Sequence, residues 1–230
     1  MNKVYIVGVG PGSTRYLTRE AEEVIRKADI VVGWEFDLLP ARSLTTDKKV
    51  YLQDVNNYIQ VAKEAAGEAR KTDETVAVLR VGDPCISSGL VGLLKVFHDF
   101  EVSVVPGISS VQLAAAAAQI NIDESVVISF HDGEVDLEEK RRFMVDVFSR
   151  NRNLIVITGP KQKPEETASY LIKNGISETT PTLVCENLTL EDEKIFRGAL
   201  RDFVGKQFSW LSVMVVMCKT TQNQNRRRKR

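Results

Sequence analysis

Three short glycine-bearing loops hold the residues of this sequence whose types could do chemistry. The first, Gly8-Val9-Gly10-Pro11-Gly12, follows a short apolar run near the N-terminus. Glycine admits positive φ and lets backbone approach a ligand, while Pro11 fixes one φ and removes one N–H. A phosphate loop needs Gly-Lys-Ser/Thr, which is absent. A dinucleotide site needs a third glycine one position later and an acid closing the second strand. Glu35 stands near that place, so spacing alone leaves a dinucleotide site open. The second loop is Arg80-Val81-Gly82-Asp83-Pro84-Cys85-Ile86-Ser87-Ser88-Gly89. Pro84 drives Asp83 toward extended backbone, so Asp83 either caps the next helix, as Ser87 could, or turns its carboxylate to a ligand. The third, Val105-Pro106-Gly107-Ile108-Ser109-Ser110, precedes an alanine-rich run. Ser109 or Ser110 can cap that helix, and Gly107 exposes backbone donors beside its N-terminus.

The remaining chemically able residues are few. His98 and His131 are the only histidines, and Cys85, Cys185 and Cys218 lie far apart. That spacing forms neither a zinc site nor a redox pair, and three thiols cannot close a full disulfide set, so reduced thiols and no metal are expected. His131 is the candidate titratable group for catalysis, since imidazole titrates near neutrality; its alternative is a structural role at the connection between domains. Lys plus Arg and Asp plus Glu both total 31. Five of the basic residues form the terminal run Arg226-Arg227-Arg228-Lys229-Arg230, so the body is acidic by five. An acidic body has no general attraction for a phosphate backbone, and nucleic acid is not the expected partner. The basic run follows a polar stretch with nothing to bury, and residues 222–230 read as a disordered tail. It is either simply solvated or a handle for an acidic partner or RNA.

These loops must be positioned by elements, and the elements are legible. Apolar, β-branched runs at 4–7, 30–32, 76–79, 102–105, 126–129, 154–157, 182–185 and 212–217 read as strands. Helical patterns lie between them: Leu17, Ala21, Val24, Ile25 and Ala28 share one face behind a Thr18 N-cap. Residues 61–69, 91–97, 111–118, 137–148 and 165–173 read the same way. The alternation predicts an α/β fold of two α/β domains, 1–121 and 122–221. A further strand-like segment at 193–196 predicts a mixed sheet in the second. Hydrophobic residues at 43% and charged residues at 27% are ordinary for a soluble protein. No run approaches the roughly 20 apolar residues that span a bilayer, and the first apolar stretch reads as a strand rather than a leader. A cytoplasmic protein without membrane contact is expected.

Gly-x-Gly-Pro-Gly, then Gly-Asp-Pro, then Pro-Gly-Ile-Ser-Ser, in that order, resemble the tetrapyrrole (corrin/porphyrin) methylase family over nearly all of residues 1–218. Residues 104–112 with Ser129-Phe130-His131, 154–159 and 186–189 most resemble the branch that methylates carbon 5 of a cobalt-precorrin in cobalamin biosynthesis. Asp132 departs from that branch, where a glycine followed by a basic residue is expected. The resemblance implies a homodimer of two α/β domains with S-adenosylmethionine folded into an interdomain cleft. It places Pro11, Asp83, Ile86, Gly107, Ile108, Ile157 and Asn187 at the cofactor, with Asp83 accepting a hydrogen bond from a ribose hydroxyl or amino group. Gly10 and Gly12 would face the tetrapyrrole. Arg15 and Arg80, chosen on position, are candidate partners for substrate carboxylates. The carbon-5 enzyme sometimes occurs fused to a decarboxylating methyltransferase domain; 230 residues leave no room for it, so a separate partner enzyme is expected. The alternatives are another branch, acting on a different corrin carbon, uroporphyrinogen or a modified histidine, and an NAD-binding oxidoreductase.

Overall fold

The computed structural model describes residues 2–131 and 136–218. Asp132 and the basic tail, on both of which the sequence reading commented, lie outside the described residues. The chain divides between Ser109 and Ser110 into two compact units.

The first unit runs β1 (Lys3–Gly8), α1 (Arg19–Lys27), β2 (Ile30–Gly33), α2 (Glu35–Leu38), β3 (Lys49–Leu52), α3 (Tyr58–Thr72), β4 (Val76–Arg80), α4 (Leu90–Val96) and β5 (Glu101–Val105). Its five strands form one parallel sheet in the order β3-β2-β4-β1-β5. Both faces are covered, which is why β4 and β2 are buried throughout. Val4, Ile6, Val76 and Val78 pack toward α3 and α4, while Val7, Val9, Ala77 and Leu79 pack toward α1 and the turn carrying Ala41 and Leu44. Alternate residues of one strand thus serve two cores. On α3, Ala62, Ala65, Ala66 and Ala69 are fully buried, and their small side chains let the helix lie close to the sheet. The expected cap on α1 is present: Thr18 Oγ1 accepts from Ala21 N at 3.1 Å. β3 escaped the sequence reading because it is an exposed edge strand, with Val50 and Leu52 facing solvent.

The second unit runs α5 (Ser110–Ala118), β6 (Ser125–Ser129), α6 (Leu137–Ser149), β7 (Asn153–Ile157), α7 (Pro164–Lys173), β8 (Pro181–Glu186), β9 (Lys194–Ala199) and β10 (Ser212–Val216). Its sheet order is β6-β7-β10-β8-β9. β6 and β7 are parallel, while β10 and β9 run antiparallel to their neighbours, so the expected mixed sheet is present. Met144, Leu154, Val156, Leu171, Val184 and Met214 form its core. The alanine-rich α5 buries Val111, Ala114, Ala115 and Ala118 and packs against β7 and β10. That contact places the division at Ser109/Ser110 rather than after residue 121: α5 follows the first sheet in sequence but belongs to the second by packing. No helix among the described residues is long and apolar enough to cross a membrane.

Candidate active site

The order β3-β2-β4-β1-β5 contains a switch point. The chain leaves β1 across β4 toward β2, and leaves β4 across β1 toward β5. With right-handed crossovers these connections take opposite faces, leaving a crevice above the carboxyl ends of β1 and β4. The register is level there, with Gly8 opposite Arg80 and Val7 opposite Val105. All three glycine loops of the sequence therefore start at one edge of one sheet.

Backbone bonds join them into a plate. Val9 N donates to Arg80 O at 2.9 Å, Gly10 N to Gly82 O at 3.3 Å, and Gly82 N to Gly10 O at 2.8 Å. Gly10 meets these bonds at φ 78°, in the left-handed region. The third loop is joined to the second by Asp83. One carboxylate oxygen accepts from Cys85 N at 2.7 Å and the other from Gly107 N at 3.0 Å. Capping is therefore not the task of Asp83 or Ser87: α4 starts behind Gly89, with no side-chain cap. The approach of the loops is close. A Cβ on Gly107 would stand 2.1 Å from Gly82 O and 2.8 Å from Gly8 Cα.

This arrangement also disposes of the dinucleotide alternative. The N–H groups of Val9 and Gly10, which a pyrophosphate would require, already donate to the β4 loop. β4 also separates β1 from β2, so Glu35 stands two strand spacings from β1, about 10 Å.

The plate's rim carries half-buried Pro11, Ile86 and Ile108 beside the half-buried Asp83. Apolar side chains around a polar backbone floor suit a ligand with a flat ring and polar ends, as S-adenosylmethionine has. Gly12 is buried, and Arg15 is exposed on the short turn Thr14–Tyr16 that follows. Cys85 is exposed on the same rim, whereas Cys185 and Cys218 are buried. Burial and then the Asp83 carboxylate push the Cys85 thiol up, and burial lifts the Cys185 thiol to about 11. Titration of the native protein with a thiol reagent is expected to modify one cysteine, slowly near neutral pH. Unfolding should release the other two.

Arg80 requires a correction. It is only 5% exposed and does not present its charge to solvent. Its Nη1 lies 3.4 Å from Asp37 Oδ2 and donates to Leu79 O at 2.9 Å, and its Nε donates to Ser88 O at 3.0 Å. The Gln53 amide, with its oxygen turned inward, accepts from Nη2 at 3.3 Å, and the Tyr58 ring lies under the guanidinium. Asp37, also 5% exposed, accepts from Trp34 N at 2.8 Å and Val81 N at 2.7 Å. Burial raises the Asp37 carboxyl and lowers the Arg80 guanidinium from their ordinary values, and their mutual attraction opposes both shifts. Sequence reasoning missed Asp37, Gln53 and Tyr58 because no motif contains them. The one signal was an acid between Phe36 and Leu38, inside an apolar stretch.

In the second unit, Ile157 and Asn187 lie at one edge of the mixed sheet, where Ile157 pairs with Val213 and Glu186 with Ser212. Ile157 is buried. Asn187 holds a left-handed backbone, φ 49°; its amide donates to Asp192 Oδ2 at 2.6 Å and accepts from Ser209 Oγ at 2.9 Å. It thereby ties the turn after β8 to the loop before β10. His131 is exposed just beyond β6, and its N–H donates to Ser129 Oγ at 3.2 Å.

The family model of the Tetrapyrrole (Corrin/Porphyrin) Methylases matches residues 3–204. A probable cobalt-precorrin-7 C(5)-methyltransferase of Methanocaldococcus jannaschii is 35% identical, over 92% of this chain and 96% of that protein. Among solved structures, the methyltransferase CobJ superposes with a TM-score of 0.83 at 19% identity, covering 95% of each chain. A uroporphyrin-III C-methyl transferase from Thermus thermophilus, complexed with S-adenyl homocysteine, superposes with a TM-score of 0.72 at 22% identity, covering 94% of this chain and 92% of that one. With both sheets accounted for and the three loops joined at one sheet edge, this chain belongs to the tetrapyrrole (corrin/porphyrin) methylases, S-adenosylmethionine-dependent methyltransferases.

Proposed function

We propose that this chain transfers the methyl group of S-adenosylmethionine to carbon 5 of a cobalt-precorrin in cobalamin biosynthesis. The observation that carries the proposal is the likeness to the M. jannaschii protein, which extends over nearly the whole of both chains. When bound, the cofactor supplies an already activated methyl group on a sulfonium. The chain's own contribution is then position and the exclusion of water. In this reading Pro11, Ile86, Gly107 and Ile108 line the cofactor pocket. Asp83 acts chiefly by holding Gly107 in place, since both its oxygens already accept from backbone. Gly10 and Gly12 shape the wall toward the macrocycle. Arg15, exposed beside them, is the proposed partner of a substrate carboxylate in place of the buried Arg80. No general base is assigned. A homodimer, and a separate decarboxylating methyltransferase in the same pathway, belong to this reading.

The test is the product. Full-length protein, candidate cobalt-precorrins and methyl-labelled S-adenosylmethionine are expected to give label at carbon 5 by NMR. Label at another ring carbon would move the chain to another branch of its family. In calorimetric titration S-adenosylhomocysteine should bind and NAD should not. It should also slow alkylation of Cys85, which sits on the proposed rim.

A further inference from the structure

The loop 81–88 crosses the proposed cofactor pocket, yet most of it lacks regular structure. Ser87 holds a left-handed backbone at φ 53°, a conformation that serine does not choose unaided. Bonds inside the loop, such as Ile86 N to Asp83 O at 3.0 Å, shape its middle, and its two ends are held from outside. The two ends of the loop meet the same buried pair of charges. At the entry, Asp37 Oδ1 accepts from Val81 N at 2.7 Å. At the exit, Arg80 Nε donates to Ser88 O at 3.0 Å. Asp37 and Arg80 face each other at 3.4 Å, both 5% exposed. Tyr58 backs the guanidinium and packs against Gly89, where an added Cβ would lie 2.9 Å from its ring.

We propose that Asp37 and Arg80 form a clamp that fixes both feet of the 81–88 loop and so positions Ile86 for the cofactor and Asp83 for its brace to Gly107. A buried ion pair is often no more stabilising than apolar residues of similar volume. Stability alone therefore gives little reason for charges here, whereas a loop with one donor and one acceptor to anchor requires one group of each kind. Asp37 supplies the acceptor to Val81, and Arg80 supplies the donor to Ser88. Both are positioning residues, since neither reaches the rim. The proposal rests on the reading that this loop lines the cofactor pocket.

The test compares the full chain with Arg80→Lys and with D37N/R80M, using S-adenosylhomocysteine as the probe. Lysine keeps a cation beside Asp37 but lacks the directed Nε–H that reaches Ser88. The double variant removes both charges, so no lone charge is left in the interior. Among folded molecules, the clamp predicts a Kd for S-adenosylhomocysteine raised on the order of ten- to a hundredfold, with KM for S-adenosylmethionine rising alongside. It also predicts faster amide hydrogen exchange at Cys85 and Ser88, beside the foot that both variants release, measured without ligand. A role confined to stability would lower the melting temperature and leave both readouts unchanged, and that result overturns the proposal. Should D37N/R80M fail to fold, Arg80→Lys decides alone. Ile86→Glu separates the two layers. If it leaves the Kd unchanged, the loop is not the cofactor wall and that reading fails, while the exchange data still judge the clamp.

Discussion

Gly107→Ala is expected to be the most damaging single-atom-scale change in the first unit. The added Cβ would stand 2.1 Å from Gly82 O, 2.8 Å from the Gly8 carbonyl carbon and 2.8 Å from Gly8 Cα. All three neighbours are backbone, so no side chain can swing aside. Relief requires β5 to move away from β1 or the β4 loop to lift. The first loosens the pairing that sets Val105 opposite Val7, and the second breaks the Gly10–Gly82 bonds. Overpacking of a well-packed interior costs about 1–3 kcal/mol, and more where the backbone itself must yield. We expect a loss at or above about 3 kcal/mol, a drop in melting temperature of roughly 6–12 °C for a protein of this size. Any folded fraction should bind S-adenosylhomocysteine poorly if Ile108, which the moved loop carries, lines the cofactor pocket as proposed. Thermal unfolding followed by calorimetry at a temperature where the variant is folded checks both parts. A melting temperature within a degree of the parent would mean that the loops are less closely joined than described.

That sensitivity explains what could be read in advance. The strands with continuous β-branched runs were legible because burial on both faces demands them: 4–7, 30–32, 76–79 and 154–157 all lie within strands buried along nearly their whole length. The edge strand β3, Lys49-Val50-Tyr51-Leu52, was not, since exposure removes the constraint on its composition. The alanine run of α5 was legible as a helix, but not which sheet it packs on. Its position just after β5 suggested the first, and its packing on β7 and β10 assigns it to the second. At the site, glycines and Asp83 were visible because backbone geometry restricts what can replace them. Arg80 was misread because position in sequence, next to a candidate ligand loop, does not say which way a side chain turns. Strand β4 is buried throughout, and its last side chain turns inward with the rest. The partners that make this tolerable, Asp37 and Gln53, are 43 and 27 residues away by number and follow other strands.

Asp83→Ala is expected to separate two roles for the most exposed-looking acid of the site. If Asp83 served only as a direct acceptor for the cofactor, its removal would weaken binding and leave the free protein as stable as before. The geometry predicts otherwise. Its carboxylate accepts two backbone N–H groups, from Cys85 at 2.7 Å and from the buried Gly107 at 3.0 Å, so it spans the second and third loops. Hydrogen bonds to a charged group are worth about 1.5–3 kcal/mol each when buried, and the Cys85 bond, near solvent, falls below that range. Alanine is therefore expected to cost about 2–3 kcal/mol of stability in the ligand-free protein. It should also reduce kcat/KM on the order of a hundredfold, the usual penalty when groups that must align shift by about an ångström. Asn at this position keeps one acceptor oxygen but turns an NH₂ toward a backbone donor, so Asp83→Asn should retain one bond and lie between alanine and the parent in both measurements. Ranking the three proteins by melting temperature without ligand, and then by kcat/KM, shows whether the two losses move together. Together they indicate a brace whose catalytic effect follows from holding Gly107 in place. A fall in kcat/KM with an unchanged ligand-free melting temperature would instead assign Asp83 to the cofactor directly, and the plate would then be held by its backbone bonds alone.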